Sequence, residues 1–263
     1  MDNSEPFLPP ELERHIFLYA LNHSREDAQN LLSVAKRVEN WLIPVVYEVV
    51  GFHTTYSTPF PFEMQRYERY GKETRHLAVG VEEMIPSLSF FPNVTNLAIW
   101  SRYDELLVTF LEKSSLTRLS IRLHSFDPPT PRLIQTFSRI THLEVVGRLD
   151  SWKDCHLLDH FTSLTHLCVL WDTYKNLLEE MLGRYPSLAI LILWDWNPID
   201  PEDSGDTPTI ALSPLGDRDF NDIRVIAVRN RFIEDWETGA RGGIDMWRFA
   251  DNVMAERKRE KPS

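Results

Sequence analysis

His156 and His160 stand four residues apart in "HLLDH", a spacing that sets two imidazoles on one face of a helix and could begin a zinc site. The glutamate that a zinc-protease motif carries between its histidines is missing and no third ligand stands near, so the pair reads as a solvated helix face. The sequence has no glycine-rich phosphate loop and no serine in a nucleophile elbow. Among 39 carboxylates, no spacing singles out an acid–base pair. "DPEDSGD" (200–206) lacks the spacing and terminal glutamate of a calcium loop; its acids, proline and glycine predict a mobile loop. The sequence therefore points to no catalytic residue, no metal and no cofactor, and the expected activity is not enzymatic.

Residues suited to binding stand in a more regular arrangement. Arg118, His142 and His166 each occupy the third place of a recurring phrase: "LTRLSI" (116–121), "ITHLEV" (140–145) and "LTHLCV" (164–169), followed by "LAILIL" (188–193). The phrase is apolar at its first, fourth and sixth places. Its reference leucines, Leu97, Leu119, Leu143, Leu167 and Leu191, are spaced by 22, 24, 24 and 24 residues. Leu77 extends the series upstream. Ile226 extends it downstream once the insertion at 197–209 is allowed for. Alternation over the last three places predicts a strand with one buried face, and the segments between phrases, such as "YDELLVTFLEK" (103–113) and "YKNLLEEMLGRY" (174–185), carry helical apolar spacing. A strand plus a helix in about 24 residues is the leucine-rich-repeat unit, which buries its apolar face only by stacking on copies of itself. The turn asparagine of the fullest leucine-rich pattern is absent, so the repeats are degenerate.

The expected fold class is thus α/β: a short helical unit over 1–46, then a right-handed leucine-rich-repeat solenoid over 47–263 with parallel strands and outer helices. "YEVVGFHT" (47–54) could supply its first strand. An acidic loop is expected at about 197–219. A helix at about 244–260, with Ile244, Trp247, Phe249, Ala250 and Val253 on its apolar side, is expected to cap the last repeat. In such a solenoid the strand residues between the buried ones face the concave side. Arg118, Arg122, His142 and His166 would line the middle of that face, between exposed Trp100 and Trp194. Arginine and tryptophan are enriched in interface hot spots, so these six residues are the candidate site for an unidentified protein target, one with acidic or phosphorylated segments.

The first fifty residues lack the phrase and predict helices. Pro9 and Pro10 suit a helix start, with Glu11 and Glu13 favourable in the first turn. Ser24 and Asp27 have the spacing of a capping box for a second helix, and Pro44 would start or break a third element. "LPPEL…IF" (Leu8, Pro9, Glu11, Leu12, Ile16, Phe17) followed by "LLSVAKRVENWL" (Leu31 to Leu42) resembles an F-box. An F-box leading straight into degenerate leucine-rich repeats is similar to the F-box-like proteins abundant in mushroom-forming fungi. The resemblance implies docking on a Skp-type adaptor of a cullin–RING ubiquitin ligase through Leu8, Pro9, Glu11, Leu12, Ile16, Phe17, Leu31, Val34 and Lys36. It implies a substrate receptor; the alternative is a stand-alone leucine-rich-repeat scaffold whose helical end only closes the solenoid.

Bulk properties agree with an interaction protein. The 263 residues suffice for one large domain or two small ones. A net charge of −11 argues against nucleic acid and anionic membranes as partners. No run of 18 apolar residues predicts a membrane span, and the acidic, polar first residues do not read as a secretory signal. Two cysteines, Cys155 and Cys168, make no disulfide framework at this length. The expected location is cytoplasmic or nuclear.

Overall fold

Leu77, Leu97, Leu119, Leu143, Leu167 and Leu191 pair laterally, each with the next, in one parallel sheet. The computed structural model describes residues 8–23, 28–52, 64–100, 105–126, 128–149, 155–195, 210–213, 220, 222–230 and 232–260. Nine strands are described: β1 Val49–Phe52, β2 His76–Val79, β3 Asn96–Ile99, β4 Arg118–Ile121, β5 His142–Val145, β6 His166–Leu170, β7 Ile190–Asp195, β8 Ile210–Leu212 and β9 Val225–Asn230. They stand in the order β1-β2-β3-β4-β5-β6-β7-β9-β8, all neighbours parallel except the antiparallel edge strand β8. Sequential parallel neighbours need a crossover between them, and nine or so helical residues fit within each 24-residue interval.

Nine α-helices are described: α1 Pro10–His23, α2 Ala28–Ser33, α3 Lys36–Val46, α4 Met64–Tyr70, α5 Glu105–Lys113, α6 Pro131–Phe137, α7 Lys175–Arg184, α8 Phe232–Ala240 and α9 Met246–Glu260. Among the described residues, the intervals before β3 and β6 carry 3₁₀ turns at Glu82–Phe90 and His156–His160. "HLLDH" is therefore not α-helical. A 3₁₀ turn repeats every three residues, so His156 and His160 do not line up as an i, i+4 pair would. No group of three metal-ligating side chains occurs among the described residues.

One face of the sheet carries the reference leucines with Val79, Ile99, Ile121, Val145, Val169 and Leu193, all buried. Against them pack Leu107 and Leu111 of α5, Leu133 and Phe137 of α6, Leu157 and Leu158, and Leu177, Leu178 and Met181 of α7. Burying each such side chain is worth about 1.5–3 kcal/mol. The first residues of the phrases, Leu116, Ile140, Leu164 and Leu188, close the same core from below the strands.

A threonine ladder stitches the units where each strand begins. Thr95, Thr117, Thr141 and Thr165 precede successive strands, and each hydroxyl donates to the carbonyl one unit upstream at 3.1–3.3 Å. Their backbone N–H groups donate to those same carbonyls. Past the strands, Gly80, Trp100 and Val146 continue the lateral backbone bonding, so the turns need no side-chain amide. Gly147, with φ of 104°, then takes a left-handed conformation that a side chain would strain.

Three details differ from the sequence reading. Val225, not Ile226, stands opposite Leu191, and a one-residue slip exchanges the two faces of a strand. Val225 and Ala227 thus join the helix-covered core, while Ile226 and Val228 face the other way. Pro44 neither starts nor breaks a helix: it sits in the last turn of α3, two residues before the helix ends, where its missing N–H removes a single intrahelical bond. The second helix is interrupted at Ala35, which is extended at φ −161° and ψ 152° and separates α2 from α3. The Ser24–Asp27 box and the acidic 200–206 segment lie outside the described residues.

Candidate functional site

At the N-terminal end, α3 is the helix held most firmly. Its Val38, Leu42 and Val46 are buried with Leu21 of α1 and Ala28 of α2, in one core with Val50 and Phe52 of β1. Arg37 on α3 grips Glu13 on α1 with two donors, Nε at 2.9 Å and Nη2 at 2.6 Å, which holds the Glu13 carboxyl below its usual range. With α1 oriented this way, Phe17 turns inward and packs on the core, as does Leu31 of α2. Leu12 and Ile16 point out, 51% and 54% exposed, and Tyr19 extends the same stripe; spacings of four and three keep all three on one helix face. Leu8 and Val34 are also exposed apolar residues of this end. Pro9, Glu11 and Lys36 are exposed, Lys36 bonded to Glu39. The nine residues expected to contact an adaptor thus divide: seven lie at the surface, and Phe17 and Leu31 support them from beneath.

The opposite face of the sheet is not open. In its β3–β5 half it carries polar groups: Asn96, Arg118, Ser120, His142 and Glu144. In its β6–β9 half it is apolar: Cys168, Ile190, Ile192, Ile226 and Val228. The two last helices cover it, with Met246, Trp247, Ala250 and Met254 of α9 filling the apolar half. The C-terminal helix expected at 244–260 is present, yet it lies across a sheet face instead of closing the end of the last repeat. The physical reason is the apolar half itself, which needs cover more than the final strand does, since β8 already borders β9. Ile244, expected to be on the buried side, is 54% exposed.

This cover changes the status of the six residues expected to meet a target. Trp194 is 5% exposed, stacked on Phe232 of α8 at 4.7 Å, and Trp100 tilts against the same ring at 4.8 Å. Arg118 is bound to Asp245 at 3.1 Å. His142 and His166 stack at 4.2 Å, and Trp247 stands edge-on to both. His166 Nε2 lies 3.2 Å from Asp251. The acidic groups that a target was expected to bring are supplied by Asp245 and Asp251 of the chain's own C-terminal segment. Arg122 alone of the six is exposed. Stripping the cover off would return at least eight large apolar side chains to water, at about 1.5–3 kcal/mol each. The cover thus packs on this face as part of its core.

Electrostatics on this face follow from burial. The His142 imidazole is pushed down to about 3 by burial, then by His166 and Arg118 beside it, so it stays neutral. Burial raises Glu144 to about 8, the Asp235 charge adding to the rise while the Ser120 hydroxyl opposes it. The Cys168 thiol goes well above its ordinary value for the same first reason. A buried, protonated thiol is a poor nucleophile.

Elsewhere, an apolar groove of about 290 Å³ runs between the Glu82–Phe90 turn and α5, lined by Ile85, Pro86, Leu88, Leu106 and Phe110 with Lys113 at its edge. Sequence reasoning missed this groove because Leu106 reads as part of an amphipathic helix. It missed α8 too, although "GARGG" (239–243) marks the turn that folds the chain back over the sheet. No described helix is long and apolar enough to cross a membrane. Compared with known proteins, the chain matches no family model, no curated protein and no solved structure.

Proposed function

We propose that this chain is a non-catalytic interaction protein that acts as a substrate receptor of a Skp–cullin–F-box ubiquitin ligase, in the manner of fungal F-box-like proteins with leucine-rich repeats. The single observation carrying this is the outward stripe of Leu12, Ile16 and Tyr19 on α1, with Leu8 and Val34 also exposed. A helix that shows large apolar side chains to water gains by burying them on a partner. The "LPPEL…IF" resemblance supplies the partner's class, a Skp-type adaptor. In this reading the 24-residue units form a leucine-rich-repeat solenoid that holds the target away from the adaptor. With one sheet face covered, the target would meet the outer groove at Leu106 and Phe110 or the exposed Arg122.

A second reading has its own support. The helical unit shares one core with β1, as a cap built only to close the solenoid would, in a stand-alone scaffold. Mixing the purified chain with a recombinant Skp-type adaptor and following co-elution by size-exclusion chromatography separates the two. A stable complex, lost on changing Leu12 and Ile16 to lysine, is expected for the receptor. Failure to co-elute at micromolar concentrations sinks it and leaves the scaffold.

A further inference from the structure

Where the helical end meets the sheet, a cavity of about 450 Å³ lies between α3 and α4, the helix that precedes β2. That volume falls in the range of small-molecule sites. One wall is apolar: Leu32 from α2, Ile43 from α3 and Tyr47, the last two buried in the shared core. Arg66 and Arg69 line the same cavity from α4, and a spacing of three keeps them on one helix face. The Arg69 guanidinium lies over the Tyr70 ring at 4.9 Å, and that ring packs on Tyr47 at 5.2 Å. The cation is thereby held beside the apolar wall. Glu39 also lines the cavity, but both its oxygens are engaged. Oε2 accepts from Lys36, which balances its charge, and Oε1 accepts from the Tyr70 hydroxyl at 2.8 Å. Among the described residues no ion pair joins Arg69 to a carboxylate. The arginines therefore leave the cavity with an excess of positive charge, in a chain of net charge −11.

We propose that this cavity is a binding site for a small organic phosphate, with Arg66 and Arg69 on the phosphate and Leu32, Ile43 and Tyr47 against a ring or short apolar body. A guanidinium presents a planar fork of donors that matches phosphate oxygens two at a time. One fork satisfies a carboxylate, whereas a doubly charged phosphate has oxygens enough for both arginines. The apolar wall argues for an organic body: a bare phosphate would meet the arginines and leave Leu32 and Ile43 facing water, while a ring buries them. The volume takes up such a ligand whole, which favours a small molecule over a phosphorylated segment of another protein. The cavity shares no lining residue with the outward stripe of Leu12, Ile16 and Tyr19, so the assignment does not depend on the receptor reading.

An NMR titration of the intact chain with phenyl phosphate tests it, with inorganic phosphate and phenol as the two halves of the probe. Phenyl phosphate should bind with a Kd on the order of 1 mM, as befits a ligand of its size, and should move the Nε–H signals of Arg66 and Arg69. Each half should bind more weakly by about tenfold or more, since it makes only one of the two kinds of contact. Arg69 is exposed, so Arg69→Ala should keep the fold and weaken phenyl phosphate on the order of tenfold. Arg69→Lys keeps the charge without the fork and should restore part of that loss. The proposal is overturned if phenyl phosphate gives no saturable shift, or if Arg69→Ala binds it as well as the wild type. It is also overturned if inorganic phosphate binds as tightly as phenyl phosphate, which would mean simple attraction of an ion to surface arginines. A phosphotyrosine peptide that binds on the order of tenfold tighter than phenyl phosphate would overturn it too, in favour of a phosphorylated protein segment. Should either variant lose its wild-type circular dichroism melt, the comparison of the three probes on the wild-type chain still decides.

Discussion

Asp245 and Arg118 are 127 positions apart in sequence and meet at 3.1 Å, Nη1 donating to Oδ2. The other oxygen, Oδ1, accepts the Arg248 N–H at 2.9 Å and so caps α9. One carboxylate therefore both starts the last helix and ties its turn to β4. Gly239 makes room for it: a Cβ there would stand 2.4 Å from that of Asp245.

Replacing Asp245 by alanine should then remove a cap worth about 1 kcal/mol and unpair a half-buried arginine, a total of about 2–4 kcal/mol. Asp245→Asn keeps the cap and should lose roughly half of that. Charge reversal discriminates further. Arg118→Glu would face Asp245 and should cost more than about 2 kcal/mol, whereas Arg122→Glu, at an exposed position, should stay within about 0.5 kcal/mol. Urea denaturation measures all four, and equal tolerance of the two reversals would mean that the Asp245 contact does not form.

The C-terminal cover makes a second expectation. Trp247 fills the apolar half of the face and bears on two imidazoles, so Trp247→Ala should cost about 3–5 kcal/mol. Ile244→Ala, three residues away but outward, should be near neutral. Deleting 244–263 uncovers Ile192, Ile226 and Val228, so the truncated chain should aggregate rather than merely melt earlier. A truncated protein that stays monomeric by light scattering contradicts this placement.

The parallel sheet was legible because a fixed phrase at a fixed interval leaves one way to bury three apolar residues, and the register from Leu77 to Leu191 followed from counting. The same counting failed at Val225 because the 35 residues from Leu191 to Ile226 break the fixed interval. The threonine ladder was legible in principle, as threonine recurs at the second place of the phrases, but its hydroxyl competes with no other sequence signal and passed unnoticed. The site was the harder part. Alternation says which residues leave the leucine core; it does not say whether water or another helix meets them. That the β6–β9 half of the second face is apolar (Cys168, Ile190, Ile192) was the available clue that it would be covered. On α1, by contrast, helical spacing separated the outward Leu12 and Ile16 from the inward Phe17 only once the position of α3 was known.

At the N-terminal end, the division of α1 predicts opposite outcomes for neighbouring substitutions. Leu12→Lys with Ile16→Lys changes residues already in water and should alter stability by no more than about 0.5 kcal/mol. Phe17→Lys would bury a charge against the shared core and should unfold the helical unit, visible as lost helical signal in circular dichroism. If the receptor reading holds, the double variant loses the adaptor while keeping its wild-type melt. Equal damage from both changes would show that the outward stripe is packed in solution.

Two neighbours on β5, His142 and Glu144, should shape the pH dependence of stability from opposite sides. His142 is lowered from 6.5 to about 3 in the fold. The unfolded chain then binds more protons between those values, and stability rises with pH across that window. Glu144 is raised from 4.5 to about 8; the folded chain binds more protons, and stability falls as pH climbs from 4.5 to 8. Each contributes up to about 1.4 kcal/mol per pH unit within its window. Where the windows overlap, from 4.5 to 6.5, the two slopes oppose and the curve should be nearly flat. Outside the overlap each acts alone, so stability should drop below 4.5 because of His142 and between 6.5 and 8 because of Glu144. Asp159 and Asp222, both lowered by hydrogen bonds from arginines, add to the acid side, so variants are needed to assign the limbs. His142→Gln should flatten the acid limb and Glu144→Gln the alkaline limb, each leaving the other group's slope uncompensated between 4.5 and 6.5. Urea midpoints from pH 3.5 to 8.5 at constant salt measure both. If Glu144→Gln left the alkaline limb in place, the carboxyl is not the buried neutral acid that its position on β5 implies.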